Sequence, residues 1–82
     1  MELGQKLKEI RLTERLTQSE ICEVTGIKLG TWKGYEYGAR KEVSSGELLK
    51  ITTHPRFMKY ALWLVTDQTA PDCGQISPVI GQ

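Results

Sequence analysis

Four basic side chains in one short segment of this chain have the chemistry to bind an anionic partner. Lys28, Lys33, Arg40 and Lys41 are accompanied by a single acidic residue, Glu36, so the segment that they span has a net charge of +3. The whole chain has a net charge of only +1, and the positive charge is therefore a local patch. Contacts to nucleic-acid phosphates need such a patch and do not need a protein that is basic overall.

Two short helices joined by a tight turn are predicted to position this patch. Helical patterns cover residues 18–25 and about 29–37, and Gly26 between them supplies the backbone freedom that a sharp corner needs. Thr17, with Glu20 three residues later, is a capping-box pattern that marks the start of the first of these helices. Two helices joined by a turn containing glycine indicate a helix-turn-helix, whose second helix can enter the major groove of DNA.

Three further helices are predicted to complete one small all-α domain. The first covers about residues 2–14, with apolar side chains at helical spacing. Another covers residues 46–52, and the last begins at Pro55, which suits a first helical turn, and ends near residue 66. On the first helix of the pair, we expect Ile21 and Val24 to face the core.

The last predicted helix is apolar around most of its circumference, because residues 60–65 contain almost no polar side chain. One small domain cannot cover all of those faces, so we expect a second copy to cover some of them. Tyr60, Trp63 and Leu64 are the predicted dimer interface, with Trp63 as its anchor because tryptophan offers a large contact area.

A short irregular tail, residues 67–82, is predicted to follow the domain of residues 1–66. The tail contains two prolines and two glycines and shows no helical periodicity. Two interpretations stay open: a loosely held tail, or a segment that docks Ile76, Val79 and Ile80 against a subunit surface.

Composition narrows the classes of protein further. A chain of 82 residues supports one modest core. With no long apolar run and a charged N-terminus, we expect no membrane span and no signal peptide, and a cytoplasmic, nucleoid-associated protein. Cys22 and Cys73 lie far apart in the chain and His54 has no recognisable partner, so we expect no metal site, no cofactor and no catalysis.

Residues 1–66 resemble the lambda-repressor/Cro-like helix-turn-helix family, also called the XRE family. The matching features are Thr17-Gln18, the small residue Cys22, Gly26-Ile27, Thr31, the Glu36-x-Gly38 ending of the second helix, and Arg11. The resemblance implies a compact five-helix domain that binds operator DNA as a dimer, commonly as a repressor. It also implies that Arg11 pairs with Glu36, and that Gln18 contacts a phosphate. Leu29, Gly30, Gly34, Trp32 and Thr25 depart from the family's pattern.

The predicted DNA-binding residues are Gln18, Lys28, Leu29, Gly30, Thr31, Lys33, Tyr37, Arg40 and Lys41. Lys28 and Thr31 are expected to reach base edges or phosphates, since lysine can bind guanine and threonine can meet a thymine methyl group. Leu29 could pack on a thymine methyl group or belong to the core. Gly30 and Gly34 leave bare backbone on one side of the helix, which permits close approach of another molecule.

The sequence thus favours a small dimeric repressor that binds double-stranded DNA, with a palindromic operator as the expected target. The alternative is a protein-interaction module that has kept the fold and lost DNA binding. An antitoxin that binds both DNA and a toxin would combine the two functions. Whether the protein has a protein partner is therefore left open by the sequence.

Overall fold

The computed structural model describes residues 1–78, and these residues form five α-helices. They are α1 (Leu3–Thr13), α2 (Gln18–Thr25), α3 (Leu29–Glu36), α4 (Ser45–Thr52) and α5 (Ala61–Thr66), with single 3₁₀ turns at Met58–Tyr60 and Pro71–Cys73. The predicted all-α, five-helix fold is confirmed. No helix in this part of the chain is long and apolar enough to cross a membrane.

The core is formed by one inward face from every helix and by the turn before α5. Its buried members are Leu7, Ile10, Ile21, Cys22, Ile27, Trp32, Tyr35, Ile51, Phe57, Tyr60 and Leu64. The expectation for Val24 is wrong, because 44% of this residue is exposed. The buried residues of α2 are Ile21, Cys22 and Thr25, and the centre of the face that they form lies about 100° around the helix from Val24.

Gly4 allows α1 to cross α3 at very short range, a role that the sequence does not reveal. A Cβ atom built at Gly4 would lie 2.0 Å from the carbonyl oxygen of Tyr35. Such a separation is far inside van der Waals contact, so any larger residue would push the two helices apart. Since α3 belongs to the helix-turn-helix, Gly4 helps to fix how this motif is held by the rest of the domain.

The last helix is shorter than predicted. The segment after Pro55 is a turn, Met58–Tyr60 is a 3₁₀ turn, and α5 begins only at Ala61. The side-chain amide of Gln75 lies where α5 begins: its Oε1 accepts from the Leu62 N–H at 2.9 Å, and its Nε2 donates to the Met58 carbonyl at 3.0 Å. These two backbone groups are four residues apart and would bond to each other in a continuous α-helix. The amide therefore stands in the place of one helical hydrogen bond.

The first part of the tail is held against its own domain. Ala70 and Gln75 form an isolated antiparallel bridge, and the Ile76 N–H donates to the Lys59 carbonyl at 2.9 Å. The interpretation of a loosely held tail is therefore wrong as far as Ile76. Val79 and Ile80 lie outside the described residues, so their predicted docking stays a prediction.

Lys6 is a buried cation that joins α1 to the end of α5. Its Nζ donates to the carbonyls of Trp63 and Leu64, both at 3.1 Å, and lies 2.6 Å from Oδ1 of Asp67. Only 3% of Lys6 is exposed. The Trp63 carbonyl also accepts the Asp67 N–H at 2.9 Å. The Leu64 carbonyl is among the last carbonyls of the helix, which lack helical partners and carry partial negative charge, so a cation at this point stabilises the helix end.

Candidate nucleic-acid interface

The helix-turn-helix begins and turns where the sequence predicts. Thr17 Oγ1 accepts the Glu20 N–H at 3.0 Å, and the Glu20 carboxylate accepts the Thr17 N–H at 2.8 Å, which completes the capping box. Gly26 ends α2 in the left-handed conformation, with φ of 80°, and its N–H donates to the Cys22 carbonyl at 2.8 Å. The capping box therefore sets where α2 begins, and Gly26 provides the turn that leads from α2 towards α3.

The helix α3 directs Trp32, Tyr35 and Glu36 inward and leaves its opposite side at the surface. Leu29 is exposed, so its alternative assignment to the core is wrong. Thr31 is half-buried at the edge of the outer face. The predicted DNA-binding residues that are exposed are Lys28, Leu29, Gly30, Lys33, Tyr37, Arg40 and Lys41.

Glu36 is a buried carboxylate that organises the base of this surface. Its side chain is 1% exposed and accepts hydrogen bonds from Arg11 Nε at 2.7 Å and from Arg11 Nη2 at 3.0 Å. The indole N–H of Trp32 and the Gln18 amide, at 3.2 Å, donate to the same carboxylate. Burial acts to raise the pKa of Glu36, but the hydrogen bonds from Arg11, Trp32 and Gln18 outweigh it, so the pKa is lowered. The predicted pairing of Arg11 with Glu36 is confirmed.

Gln18 is half-buried and its amide is oriented by Glu36. Its contact with a phosphate stays a prediction. An open depression of about 380 Å³ lies beside it, lined by Lys8, Arg11, Thr17, Gln18, Glu36 and Tyr37. Sequence reasoning did not assign Lys8 to the site. The available signal was its position three residues before Arg11, since residues at that spacing share one side of a helix.

Arg40 lies across the outer part of α3 because Gly34 leaves room for it. A Cβ atom at Gly34 would lie 3.0 Å from Cδ of Arg40, and the Arg40 N–H donates to the Gly34 carbonyl at 3.0 Å. The bare backbone at Gly34 is thus covered by the chain itself. This packing places the Arg40 side chain beside α3.

The predicted dimer residues divide into two groups. Tyr60 and Leu64 are 2% and 1% exposed, so they belong to the core of their own domain and are removed from the surface that a second copy could contact. The physical reason is the turn before α5, which rotates the apolar run so that one side faces inward. Trp63 is half-buried, with Lys6 Nζ 5.2 Å from its ring centroid, and neighbouring Val65 is exposed.

Glu14 forms a second carboxylate cluster, between the end of α1 and the turn before α5. It accepts from the Tyr60 hydroxyl at 2.6 Å and Arg56 Nε at 2.8 Å, and lies 3.0 Å from Lys59 Nζ. Burial acts to raise the pKa of Glu14, but hydrogen bonds from Tyr60, Arg56 and Lys59 outweigh it and lower the pKa to about 2.

We expect this cluster to make the domain sensitive to acid. Because the pKa of Glu14 is lower in the folded state than in the unfolded chain, its stabilisation is complete above about pH 4.5 and is lost as the pH falls towards 2. The loss is at most about 3.5 kcal/mol, since one pKa unit corresponds to about 1.4 kcal/mol. Urea unfolding across this pH range should show a shallower fall for Glu14→Gln than for the parent. The exposed Glu23→Gln variant should follow the parent, and equal slopes for all three proteins would contradict the assignment.

A small all-helical domain with a capped helix pair, whose second helix presents lysine side chains outward, defines a protein of the helix-turn-helix class. No protein-family model matches the sequence. Repressor protein C of Escherichia phage P2 is 35% identical over 78 residues, which cover 95% of this chain and 78% of that protein. The chain belongs to this family of phage repressors.

Proposed function

We propose that this protein is a transcriptional repressor that binds DNA by placing α3 in the major groove. The observation that carries the proposal is the exposed basic surface formed by Lys28 at the N-cap of α3, by Lys33 on α3, and by Arg40 and Lys41 in the loop after it. All four cations are exposed, while the acidic residue among them, Glu36, is buried and neutralised by Arg11. The similarity to a protein named as a phage repressor supports the same function.

The geometry suggests a division of work between base readout and phosphate binding. Lys28 and Thr31 lie at the beginning of α3, the part that reaches base edges in helix-turn-helix complexes. Tyr37, Arg40 and Lys41 follow α3 and are suited to the DNA backbone, since contacts to phosphates set register without reading sequence.

A second phosphate position is proposed at the start of α2. Lys8 and Thr17 line the depression beside Gln18, and the positive end of α2 faces the same region. The carboxylate of Glu36 also lines this depression, but Arg11 neutralises it. The start of α2 and the loop after α3 would then bind phosphates on either side of the groove that α3 enters.

Two copies of the protein are proposed to bind one palindromic site. Trp63 and the exposed Val65 leave part of α5 apolar at the surface, as a contact between two copies would require. A two-fold dimer would place its two α3 helices about 34 Å apart, one turn of DNA. Because Tyr60 and Leu64 are buried in the domain core, the proposed contact is restricted to the outer side of α5.

Selection of duplexes from a random pool, followed by affinity measurements at several salt concentrations, tests this function. We expect enrichment of a palindrome with half-sites about one turn apart. Arg40→Ala should weaken binding to all duplexes and reduce the salt slope by about 0.9, because each neutralised phosphate contributes that amount. Lys28→Ala should also change the preferred sequence, at a cost of about 1–3 kcal/mol.

Lys50→Ala is the matched control, because Lys50 is an exposed lysine on α4, outside the basic surface. Its affinity and salt slope should equal those of the parent. No enrichment at all would favour the alternative of a protein-interaction module. Enrichment with unchanged affinity in the Arg40 and Lys28 variants would mean that another surface binds the DNA.

A further inference from the structure

Gly30 has no structural reason to be glycine within the domain. It is the second residue of α3, it is exposed, and a Cβ atom built on it would meet no heavy atom within 4 Å. Its backbone is helical, so no left-handed conformation requires glycine. Alanine favours a helix more than glycine does. The fold alone would therefore be equally stable or more stable with a larger residue at this position.

Most other glycines of the helical domain have a visible reason in the fold. Gly4 makes room for α3, and Gly34 makes room for Arg40. Gly26 and Gly38 both have φ of 80°, which side-chain-bearing residues rarely adopt. Gly30 and Gly46 differ from all four in having no such reason, and of these two only Gly30 lies on α3, the helix that is proposed to enter the major groove.

Gly30 lies on the outermost line of α3. At 100° per residue it is about 160° around the helix from Trp32, whose side chain is fully buried in the core. Lys33 lies about 60° to one side of it and Thr31 about 100° to the other. The outermost part of the helix is therefore bare backbone between side chains that can make polar contacts.

We propose that Gly30 determines sequence specificity through the absence of a side chain, because the bare backbone lets α3 lie directly against base edges in the major groove. This proposal rests on the proposed function. A closer helix allows Lys28 and Thr31 to reach the bases, and base-edge contacts are those that distinguish one sequence from another. A methyl group at Gly30 would hold the helix away from the bases in the preferred site. Unrelated duplexes, bound chiefly through phosphates, do not require this close approach.

The test is Gly30→Ala, with Gly46→Ala as its matched control. Gly46 is also the second residue of an eight-residue helix, is exposed, and would place a Cβ atom in open space. Both variants should unfold at the same temperature as the parent or up to about 8 °C higher. Affinity is measured on the duplex that the parent enriches from a random pool and on an unrelated duplex of equal length.

For Gly30→Ala we expect a loss of roughly ten-fold or more on the enriched duplex and a change below about two-fold on the unrelated one. Gly46→Ala should match the parent on both. Parental affinity of Gly30→Ala for the enriched duplex would overturn the proposal, as would an equal loss on both duplexes or a lower unfolding temperature. Failure of the parent to enrich any duplex would instead refute the proposed function itself.

Discussion

Replacing Glu36 with glutamine is expected to lower the free energy of unfolding by about 3–5 kcal/mol, since this is the usual cost of breaking a buried ion pair by removing one partner. The side chains of Arg11 and Glu36 are 13% and 1% exposed, so solvent cannot take over the role of the lost charge. The variant also places an amide N–H₂ group where only acceptors are wanted, because Arg11, Trp32 and Gln18 all donate to this carboxylate.

The measurement is a double-mutant cycle with Arg11→Met, followed by denaturant unfolding. We expect a coupling free energy of about 2–3 kcal/mol, because the double variant leaves no buried charge unpaired. Glu23→Gln, a change of the same kind at an exposed position on α2, should alter stability by less than about 0.5 kcal/mol. Coupling near zero, with DNA affinity lost only in the Arg11 variant, would assign Arg11 to the DNA instead.

Lys6→Met is expected to cost about 3 kcal/mol, the second largest effect. The substitution keeps the length and the apolar stem of the side chain but removes the ammonium group from the carbonyls of Trp63 and Leu64. Hydrogen bonds to a charged group contribute about 1.5–3 kcal/mol each, and packing of the methionine recovers part of the loss. The ion pair with Asp67 adds little, because the Asp67 side chain is 64% exposed.

Asp67→Asn separates these two contributions. Asp67 has φ of 64°, and asparagine tolerates this left-handed conformation, so the variant removes the charge and leaves the backbone unstrained. Its cost should be about 0–1 kcal/mol, well below that of Lys6→Met. Equal unfolding free energies for Lys6→Met and the parent would show that water replaces the hydrogen bonds from Lys6 to the carbonyls of Trp63 and Leu64.

The parts of the fold that local signals determine were predictable from the sequence. The limits of α2 follow from Thr17, Glu20 and Gly26, because caps and left-handed glycine act within one turn of the helix that they end. The beginning of α5 was not predictable in this way, since one of its N–H groups, that of Leu62, donates to Gln75, which lies 13 residues further along the chain. The spacing of hydrophobic residues does not predict that a distant side-chain amide will replace a main-chain hydrogen bond of a helix.

In the candidate site, too, local sequence signals predict some features, whereas other features depend on residues that are distant in the chain. Exposure of Lys33 follows from the helical period, whereas the Arg11–Glu36 pair was predicted only through the family resemblance, because it depends on how α1 packs against α3. The burial of Lys6 was missed because a lysine on an amphipathic helix ordinarily faces water. Tyr60 was misassigned to a dimer surface because its inward direction is set by the turn before α5.

The amide of Gln75 also bears on how the chain acquires its structure during synthesis. The ribosome synthesises Leu62 before Gln75. The two hydrogen bonds that the Gln75 amide makes to Leu62 and Met58 can therefore form only after Gln75 has emerged. A fragment cut at the predicted boundary of residue 66 would separate α5 from the group that completes its backbone pairing. We therefore expect a fragment that ends at residue 66 to be less stable than one that includes Gln75 and Ile76, the tail residues that hydrogen-bond to the segment from Met58 to Leu62.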